Sequence, residues 1–165
     1  MADAPTVRAE PISASAFAEF GDVLAPPAEL GRTYFDRGLT NARPDAPASL
    51  SIARIAATPS LPITAIEMER HEFSSQSFIP IDVSRYVIVV APHRADGKPD
   101  ASKARAFILP GSVGITYGVN VWHHPITVLD RPATFAIQMW RDGSVGDEEF
   151  VKLKQPFRIE LSEAA

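Results

Sequence analysis

The sequence lacks several features that would point to particular classes of protein. It has no cysteine, which excludes disulfide bonds and thiolate chemistry, and no apolar stretch near the roughly 18 residues of a membrane span. It also has no run of Lys and Arg, and its net charge of -4 would repel a phosphate backbone. We therefore expect neither a membrane nor a nucleic-acid partner. Because residues 1–5 lack the basic and apolar segments of a signal peptide, the expected compartment is the cytoplasm.

What the sequence does contain is the composition of an ordinary globular protein. Hydrophobic residues make up 45% and charged residues 22%, far from the balance of a disordered chain. A chain of 165 residues is long enough to bury a sizeable core and short enough for one core. We expect a single domain over residues 1–165.

Short apolar runs dominate the chain from Leu50 onward. They are rich in β-branched and aromatic residues and are separated by Pro, Gly or Asp at intervals of about ten residues. The runs are Leu50–Ile55, Ile63–Phe73, Ser77–Ile81, Tyr86–Ala91, Ala104–Leu109, Gly114–Tyr117, Ile126–Leu129 and Thr134–Trp140. This spacing, with 15 prolines as punctuation, predicts a mostly β sandwich or barrel with antiparallel strands.

The remaining segments are less regular. Ser13–Phe20 is predicted to form a short helix with Ser13 as its cap and Gly21 at its end. Pro26–Pro47 is rich in Pro, Gly, Arg and Asp, which indicates a long loop over the surface or over a cavity mouth. The tail from Asp147 to Leu161 is compatible with a helix or a strand.

Two segments concentrate polar side chains within this β-rich pattern. On a strand, Glu69 and His71 share one face while Arg70 points to the other, because side chains alternate. By the same rule the adjacent His123 and His124 face opposite sides, so at most one of them faces the same interior as His71.

These two segments resemble the two sequence motifs of the cupins. The first motif, His-x-His followed after four residues by Glu, is met by Glu69-x-His71 and then Gln76, and the histidine of the second motif corresponds to His123. The resemblance implies an antiparallel cupin-like β-barrel (jelly roll) in which Glu69, His71, Gln76 and His123 converge. Such donors suit a divalent nickel, zinc or manganese ion. The alternative is a barrel that kept its shape and holds no metal.

A more specific resemblance covers residues 10 to 145. The matching blocks are Glu69-Arg70-His71, Ser75 to Pro80, Arg105-Ala106-Phe107, Gly114 with Tyr117, Val121 to Pro125, and Phe17 to Val23. In this order and spacing they are similar to ureidoglycolate lyase of allantoin degradation. The resemblance implies a homodimeric enzyme that cleaves (S)-ureidoglycolate, a small anion, to glyoxylate and urea.

The chemistry of that reaction suggests roles for the candidate residues. A base must take the hydroxyl proton and an acid must protonate the departing nitrogen, which are roles that His71 and His123 suit near neutral pH. Glu69 would orient an imidazole or act as an alternative base. The substrate carboxylate needs a bidentate cation, for which Arg105 is the first candidate and Arg70 the second.

Three further residues complete the list of expected substrate contacts. Gln76 and Tyr117 would hold the ureido amide or the developing oxyanion. His124 is included as a contact, although a structural role is the alternative for it. The bulky Trp122, Phe78 and Phe107 are expected in the core.

The sequence departs from the family at Gly118, at Met139, where members tend to have an acid, and in the loop from Arg32 to Pro47. These departures leave two other hypotheses open besides ureidoglycolate cleavage. One is an enzyme acting on another small hydroxy acid. The other is a cupin that binds a small molecule without catalysis.

Overall fold

A computed structural model of the chain describes residues 4–162 and consists mainly of β-strands. The strands are β1 (Thr6–Pro11), β2 (Gly21–Leu24), β3 (Ala48–Ile55), β4 (Ile63–His71), β5 (Gln76–Asp82), β6 (Arg85–Ala91), β7 (Arg105–Pro110), β8 (Gly114–Tyr117), β9 (Trp122–Leu129), β10 (Ala133–Trp140) and β11 (Glu148–Leu161). One α-helix, α1 (Ala14–Phe17), and two short 3-10 turns, Asp36–Gly38 and Ala101–Lys103, complete the described secondary structure. The predicted mostly β fold is confirmed.

The predicted helix exists but is shorter than expected. Ser13 caps α1, its hydroxyl accepting a hydrogen bond from the backbone N–H of Ala16 at 3.2 Å. The helix ends at Phe17, and Gly21 begins β2 instead of ending the helix. Gly21 has a φ of 151°, and a Cβ there would lie 1.8 Å from the carbonyl oxygen of Thr116, so glycine is required by strand packing.

The strands form two sheets. One closes into a barrel in the order β1-β11-β4-β9-β6-β7, and the other has five strands in the order β2-β8-β5-β10-β3. The barrel is mostly antiparallel, as expected, and β1 is the exception, because it pairs in parallel with both β11 and β7. Since β7 and β11 run in the same direction, a strand inserted between them must be parallel to both or to neither.

The apolar side chains form two main layers. A small cluster fills the closed barrel with Ala9, Ala65, Val87, Val89, Ala106, Ile108, Leu129, Phe157 and Ile159. A larger cluster, the interlayer core, lies between the barrel wall and the five-stranded sheet and includes Phe78, Tyr86, Ile88, Val90, Phe107, Tyr117 and Phe135. Strand β6 is buried on both faces, which explains its continuous apolar run.

The strand predictions hold along most of the chain. All eight predicted runs are strands, and β9 begins at Trp122, four residues before the expected start at Ile126. The undecided tail is a long strand, β11. Strands β1 and β2 were not predicted, since β1 has mostly exposed residues and β2 spans only four. Phe78, Phe107 and Trp122 are buried as expected.

The long loop between β2 and β3 is held against the end of the interlayer space. The backbone N–H of Ala42 donates to Phe73 O at 2.7 Å, and Ser75 N donates to Thr40 O at 2.9 Å. This attachment brings Arg43 to the open end of the two layers. Among residues 4–162, no helix has both the length and the apolar character needed to cross a bilayer.

Candidate active site

Three titratable side chains meet at one end of the interlayer core. Glu69 and His71 lie on the same face of β4, and His123 on β9 is the direct register partner of Glu69. One possible ligand atom from each residue lies within 4.8 Å of the corresponding atoms of the other two. An atom placed between them would be within hydrogen-bonding distance of all three. The structure therefore brings together these three residues as the sequence predicts.

The ring of His123 is fixed on two sides. Its Nδ1 lies 2.9 Å from the carbonyl oxygen of Val121, which can only accept, so Nδ1 carries a proton. Its Nε2 faces Glu69 Oε1 at 3.4 Å, and the ring of Tyr117 stacks on it with centroids 4.2 Å apart. Nε2 therefore carries a proton only when the imidazole is positively charged. The Glu69 carboxylate is placed to stabilise that charged form.

The surroundings of Glu69 and His71 lower the pKa values of both side chains, for different reasons. Burial acts to raise the pKa of Glu69, but the contact with His123 and the charges of the nearby histidines outweigh it, so this pKa lies below its usual value. Burial, followed by repulsion from His123, lowers the pKa of His71. At neutral pH the site thus contains a carboxylate and a neutral imidazole.

Several buried polar atoms in this region lack a hydrogen-bond partner among residues 4–162. They are Nδ1 of His71, Oε1 of Gln76, the hydroxyl of Tyr117, Nε2 of His123 and Oδ2 of Asp147. A buried polar atom without a partner costs about 1 to 3 kcal/mol. Such atoms are rare in folded proteins, and their concentration at one place marks a ligand site.

A cavity of about 190 Å³ opens beside this cluster. His71 and Gln76 line its inner end, whereas Glu69, Tyr117 and His123 are not among its lining residues. Its other walls come from β3, from β10, from the loop that follows β10, from the first residue of β11 and from the loop before β3: Ser49, Ser51, Ile137, Met139, Arg141, Ser144, Val145, Asp147, Glu148 and Arg43. The volume is below the roughly 300 to 1,000 Å³ of drug-sized sites, which fits a small metabolite.

The three departures from the family pattern lie differently with respect to this cavity. Met139 lines it and contacts Gln76, whose Nε2 lies 3.8 Å from the Met139 sulfur. Gly118 lies outside it, with its N–H donating to Phe20 O at 2.9 Å. The poorly aligned loop supplies Arg43. Met139 thus makes part of the cavity wall apolar, and the loop adds the cation Arg43 to it.

Besides Glu148, three charged residues of the cavity were missed by the sequence analysis. Arg43 contacts Asp142 at 2.8 Å and Asp147 at 3.5 Å. Arg141 lines the cavity and forms no ion pair within residues 4–162. Asp147 is buried and accepts a hydrogen bond from Phe73 N at 2.6 Å. Only Arg141 had a local signal, since it directly follows a predicted strand; the other two lie in irregular segments.

Three expected substrate contacts lie elsewhere. Arg105 does not line the cavity, because its Nη1 donates to Ala16 O at 2.8 Å and its guanidinium lies over the Phe107 ring. Arg70 donates to Glu149 and Asn120, His124 Nδ1 lies 2.8 Å from Pro125 O, and neither residue lines the cavity. The geometry therefore does not support these three as substrate contacts, whereas Gln76 lies at the cavity and Tyr117 behind it.

Comparison with known proteins places the chain in a family. A family model described as ureidoglycolate lyase matches residues 4–160. The chain belongs to the ureidoglycolate lyase family. Its members are lyases, which confirms the prediction of an enzyme family made from the sequence blocks.

Individual relatives agree with this membership. The chain is 38% identical over 148 residues to a ureidoglycolate lyase of Burkholderia cepacia, covering 83% of this chain and 81% of the relative. It is 38% identical over 133 residues to a ureidoglycolate lyase of Escherichia coli, covering 76% of this chain and 81% of the relative. A dTDP sugar isomerase from Desulfovibrio desulfuricans matches with a TM-score of 0.45 and 18% identity, over 82% of this chain and 83% of that one.

Proposed function

We propose that this chain cleaves (S)-ureidoglycolate to glyoxylate and urea in the cavity beside His71. The observation that carries the proposal is the cluster of Glu69, His71 and His123, in which His71 Nδ1 and His123 Nε2 are buried without a hydrogen-bond partner among the described residues. Family membership supports the choice of substrate. The small cavity, with an arginine on its wall, fits a small anion.

The reaction requires two proton transfers and no other reactant. The central carbon of the substrate carries a hydroxyl group, a carboxylate and the ureido nitrogen. When a base removes the hydroxyl proton, the oxygen forms a carbonyl group with the carbon as the carbon–nitrogen bond breaks. The departing nitrogen takes up a proton and leaves as urea, so one proton enters the protein and one leaves it.

His71 is the group that we assign to the first proton transfer. It lines the cavity, and its lowered pKa keeps its imidazole neutral and able to accept a proton at neutral pH. We assign the second transfer to His123, which holds a donatable proton at Nε2 when it is positively charged. Glu69 lies against that nitrogen and stabilises the charged form.

The remaining polar groups of the cavity match the other two groups of the substrate. Arg141 has no acidic partner in the described part of the chain and can bind the carboxylate through two parallel hydrogen bonds. Gln76 has a buried Oε1 without a partner, which can accept from the N–H groups of the ureido moiety. The carboxylate role expected for Arg105 passes to Arg141 in this proposal.

The same donors also fit a divalent cation. Glu69, His71 and His123 offer one oxygen and two nitrogens within 4.8 Å of one another, and Gln76 supplies a further unpartnered oxygen nearby. This is a donor set for nickel, zinc or manganese. When bound there, such an ion would supply Lewis-acid polarisation of the substrate oxygen. Metal analysis, with activity assays before and after chelation, distinguishes a metal-dependent site from a site in which the side chains act without a metal.

We also propose that the enzyme is a homodimer, as the family resemblance implies. The outer face of the five-stranded sheet exposes Leu50 and Ile52 on the edge strand β3, and Ile79 and Ile81 on β5. Contiguous exposed apolar patches and free strand edges are typical of interfaces, and two-fold pairs are the commonest oligomers. Light scattering should give twice the chain mass, and Ile52→Lys should reduce it to one chain mass.

A product assay tests the proposed function. The protein is incubated with (S)-ureidoglycolate, with the R enantiomer as control, and glyoxylate and urea are measured separately. Equal amounts of both products from the S enantiomer alone are expected. Absence of products, with or without added nickel or manganese, would contradict the proposal. If the substrate raised the unfolding temperature without turnover, the chain would be a binding module instead.

A further inference from the structure

Asp147 is a buried carboxylate that the mechanism above does not use. It lies directly before β11, at the wall of the cavity, with 6% of its surface exposed. Its Oδ1 accepts a hydrogen bond from Phe73 N at 2.6 Å, and its backbone carbonyl accepts one from Glu72 N at 3.0 Å. These bonds attach Asp147 to the turn that follows β4. The carboxylate is therefore held in place by the strand that carries His71.

The second oxygen of Asp147 faces two cationic or protonatable groups. Oδ2 lies 3.5 Å from Arg43 Nη2 and 3.9 Å from His71 Nδ1. A distance of 3.9 Å is too long for a hydrogen bond, and both Oδ2 and Nδ1 are buried without a partner. A shift of about 1 Å would join them and satisfy both atoms. Hydrogen bonds at catalytic groups are often long without substrate and shorten in the substrate complex.

We propose that Asp147 is a positioning residue for His71. Its Oδ2 favours a proton on Nδ1 and accepts a hydrogen bond from it when substrate binds. Because Nδ1 is fully buried, Nε2 is the nitrogen left to face the cavity and take the hydroxyl proton. A carboxylate that fixes the tautomer and orientation of a catalytic imidazole is a general device of acid–base enzymes. This inference rests on the proposed function.

Asp142 provides a matched control for this role. It bonds the same Arg43 at 2.8 Å but has no contact with His71 among the interactions of the described residues. The Asp142 carboxylate contacts Arg43 and accepts hydrogen bonds from Ser144 N and Oγ, whereas the Asp147 carboxylate contacts both Arg43 and His71. The difference between Asp147→Asn and Asp142→Asn therefore isolates the effect on the imidazole. Asparagine keeps the size of the side chain and an oxygen that can accept from Phe73 N.

Steady-state kinetics with (S)-ureidoglycolate give the first test. Asp147→Asn should lower kcat about a hundredfold, because its amide N–H₂ donates to Nδ1 and selects the wrong tautomer. KM should stay within about threefold of the wild-type value, since the carboxylate contact at Arg141 is retained. Asp142→Asn should keep both constants within about threefold. Equal losses in the two variants would show that the effect passes through Arg43 and would overturn the proposal.

Nitrogen NMR of the imidazole gives a second test that needs no turnover. In chelator-treated wild-type protein at pH 8, with His71 assigned through His71→Gln, the ring should carry its proton on Nδ1. In Asp147→Asn the proton should move to Nε2. A wild-type spectrum with the proton on Nε2 overturns the proposal even if the variant does not fold. A protein with the expected tautomer that does not cleave ureidoglycolate would instead count against the proposed function alone.

Discussion

The two faces of β4 carry polar side chains that differ in their hydrogen bonding. On the face toward the five-stranded sheet, His71 has a buried nitrogen without a hydrogen-bond partner in residues 4–162. On the other face, Arg70 donates to Glu149 at 2.7 Å and to Asn120 at 2.6 Å, and its guanidinium lies 4.6 Å from the Trp122 ring. His71 thus has a buried nitrogen without a hydrogen-bond partner, whereas the guanidinium of its neighbour Arg70 is hydrogen-bonded to protein groups.

This difference separates binding groups from structural groups. A polar atom whose partners are all within the protein has little to gain from a ligand, whereas an unpartnered buried atom gains a hydrogen bond when a ligand arrives. The face of β4 that is turned toward the five-stranded sheet and carries His71, called here the inner face, is therefore the face expected to act on a substrate. The opposite face, which carries Arg70 and is called here the outer face, is expected to contribute to stability. Substitutions on the two faces should separate the effects on activity from those on stability.

The largest effect is expected at His123. Replacement of His123 by Ala removes the proton donor and the partner of Glu69, and should lower turnover of (S)-ureidoglycolate at least about a hundredfold. His124→Ala is the matched control, since the neighbouring ring lies on the opposite face, and should change turnover less than about threefold. Initial rates of glyoxylate release measure both. A similar loss in the two variants would contradict the separation of the faces.

A smaller effect is expected at Arg141. Loss of a charged hydrogen-bonding group costs about 1.5 to 3 kcal/mol, so Arg141→Ala should raise KM about 10- to 100-fold with a smaller change in kcat. Arg105→Ala, which removes an arginine bonded to Ala16 O, should leave KM within about threefold. The KM values of the two purified variants are the measurement. If Arg105→Ala raised KM and Arg141→Ala did not, the sequence-based assignment would be restored.

On the outer face, the expected effect is on stability. Arg70→Met should lower the free energy of unfolding by about 1 to 3 kcal/mol, because Asn120 and Glu149 lose a partly buried donor. Activity at 25 °C should stay within about threefold of wild type. Arg94→Met, at the exposed ion pair with Asp96, should cost less than about 1 kcal/mol. Urea unfolding and initial rates measure these quantities. A large loss of activity in folded Arg70→Met would contradict the assignment of Arg70 to a structural role.

The smallest effect is expected at a surface pair far from the cavity. Hydrogen bonds from Arg85 and Ser84 lower the pKa of Asp130 from 3.8 to about 2. A lowered pKa stabilises the fold above the unfolded value, and this contribution is lost as the pH falls from about 3.8 through about 2. The difference in unfolding temperature between wild type and Asp130→Asn should therefore shrink between pH 6 and pH 3. A difference that grows on acidification would contradict this sign.

Much of the fold and the inner cluster could be predicted from local sequence. Alternation along an extended chain placed Glu69 with His71 and separated His123 from His124, because the direction of a side chain on a strand depends only on its position. The parallel pairing of β1 could not be predicted, since it depends on two strands distant in the sequence. The same is true of Arg43 and Asp147, which reach the cavity through loops whose paths are set by tertiary hydrogen bonds.

The most direct test of the account is a crystal structure of the protein with glyoxylate and urea bound. The carboxylate of glyoxylate should lie on Arg141, its carbonyl oxygen should lie against His71, and urea should contact Gln76. The buried Oε1 of Gln76, which lacks a partner among the described residues, would then accept a hydrogen bond from urea. Products bound beside Arg70, or a cavity whose ligands do not touch His71, would contradict the central claim.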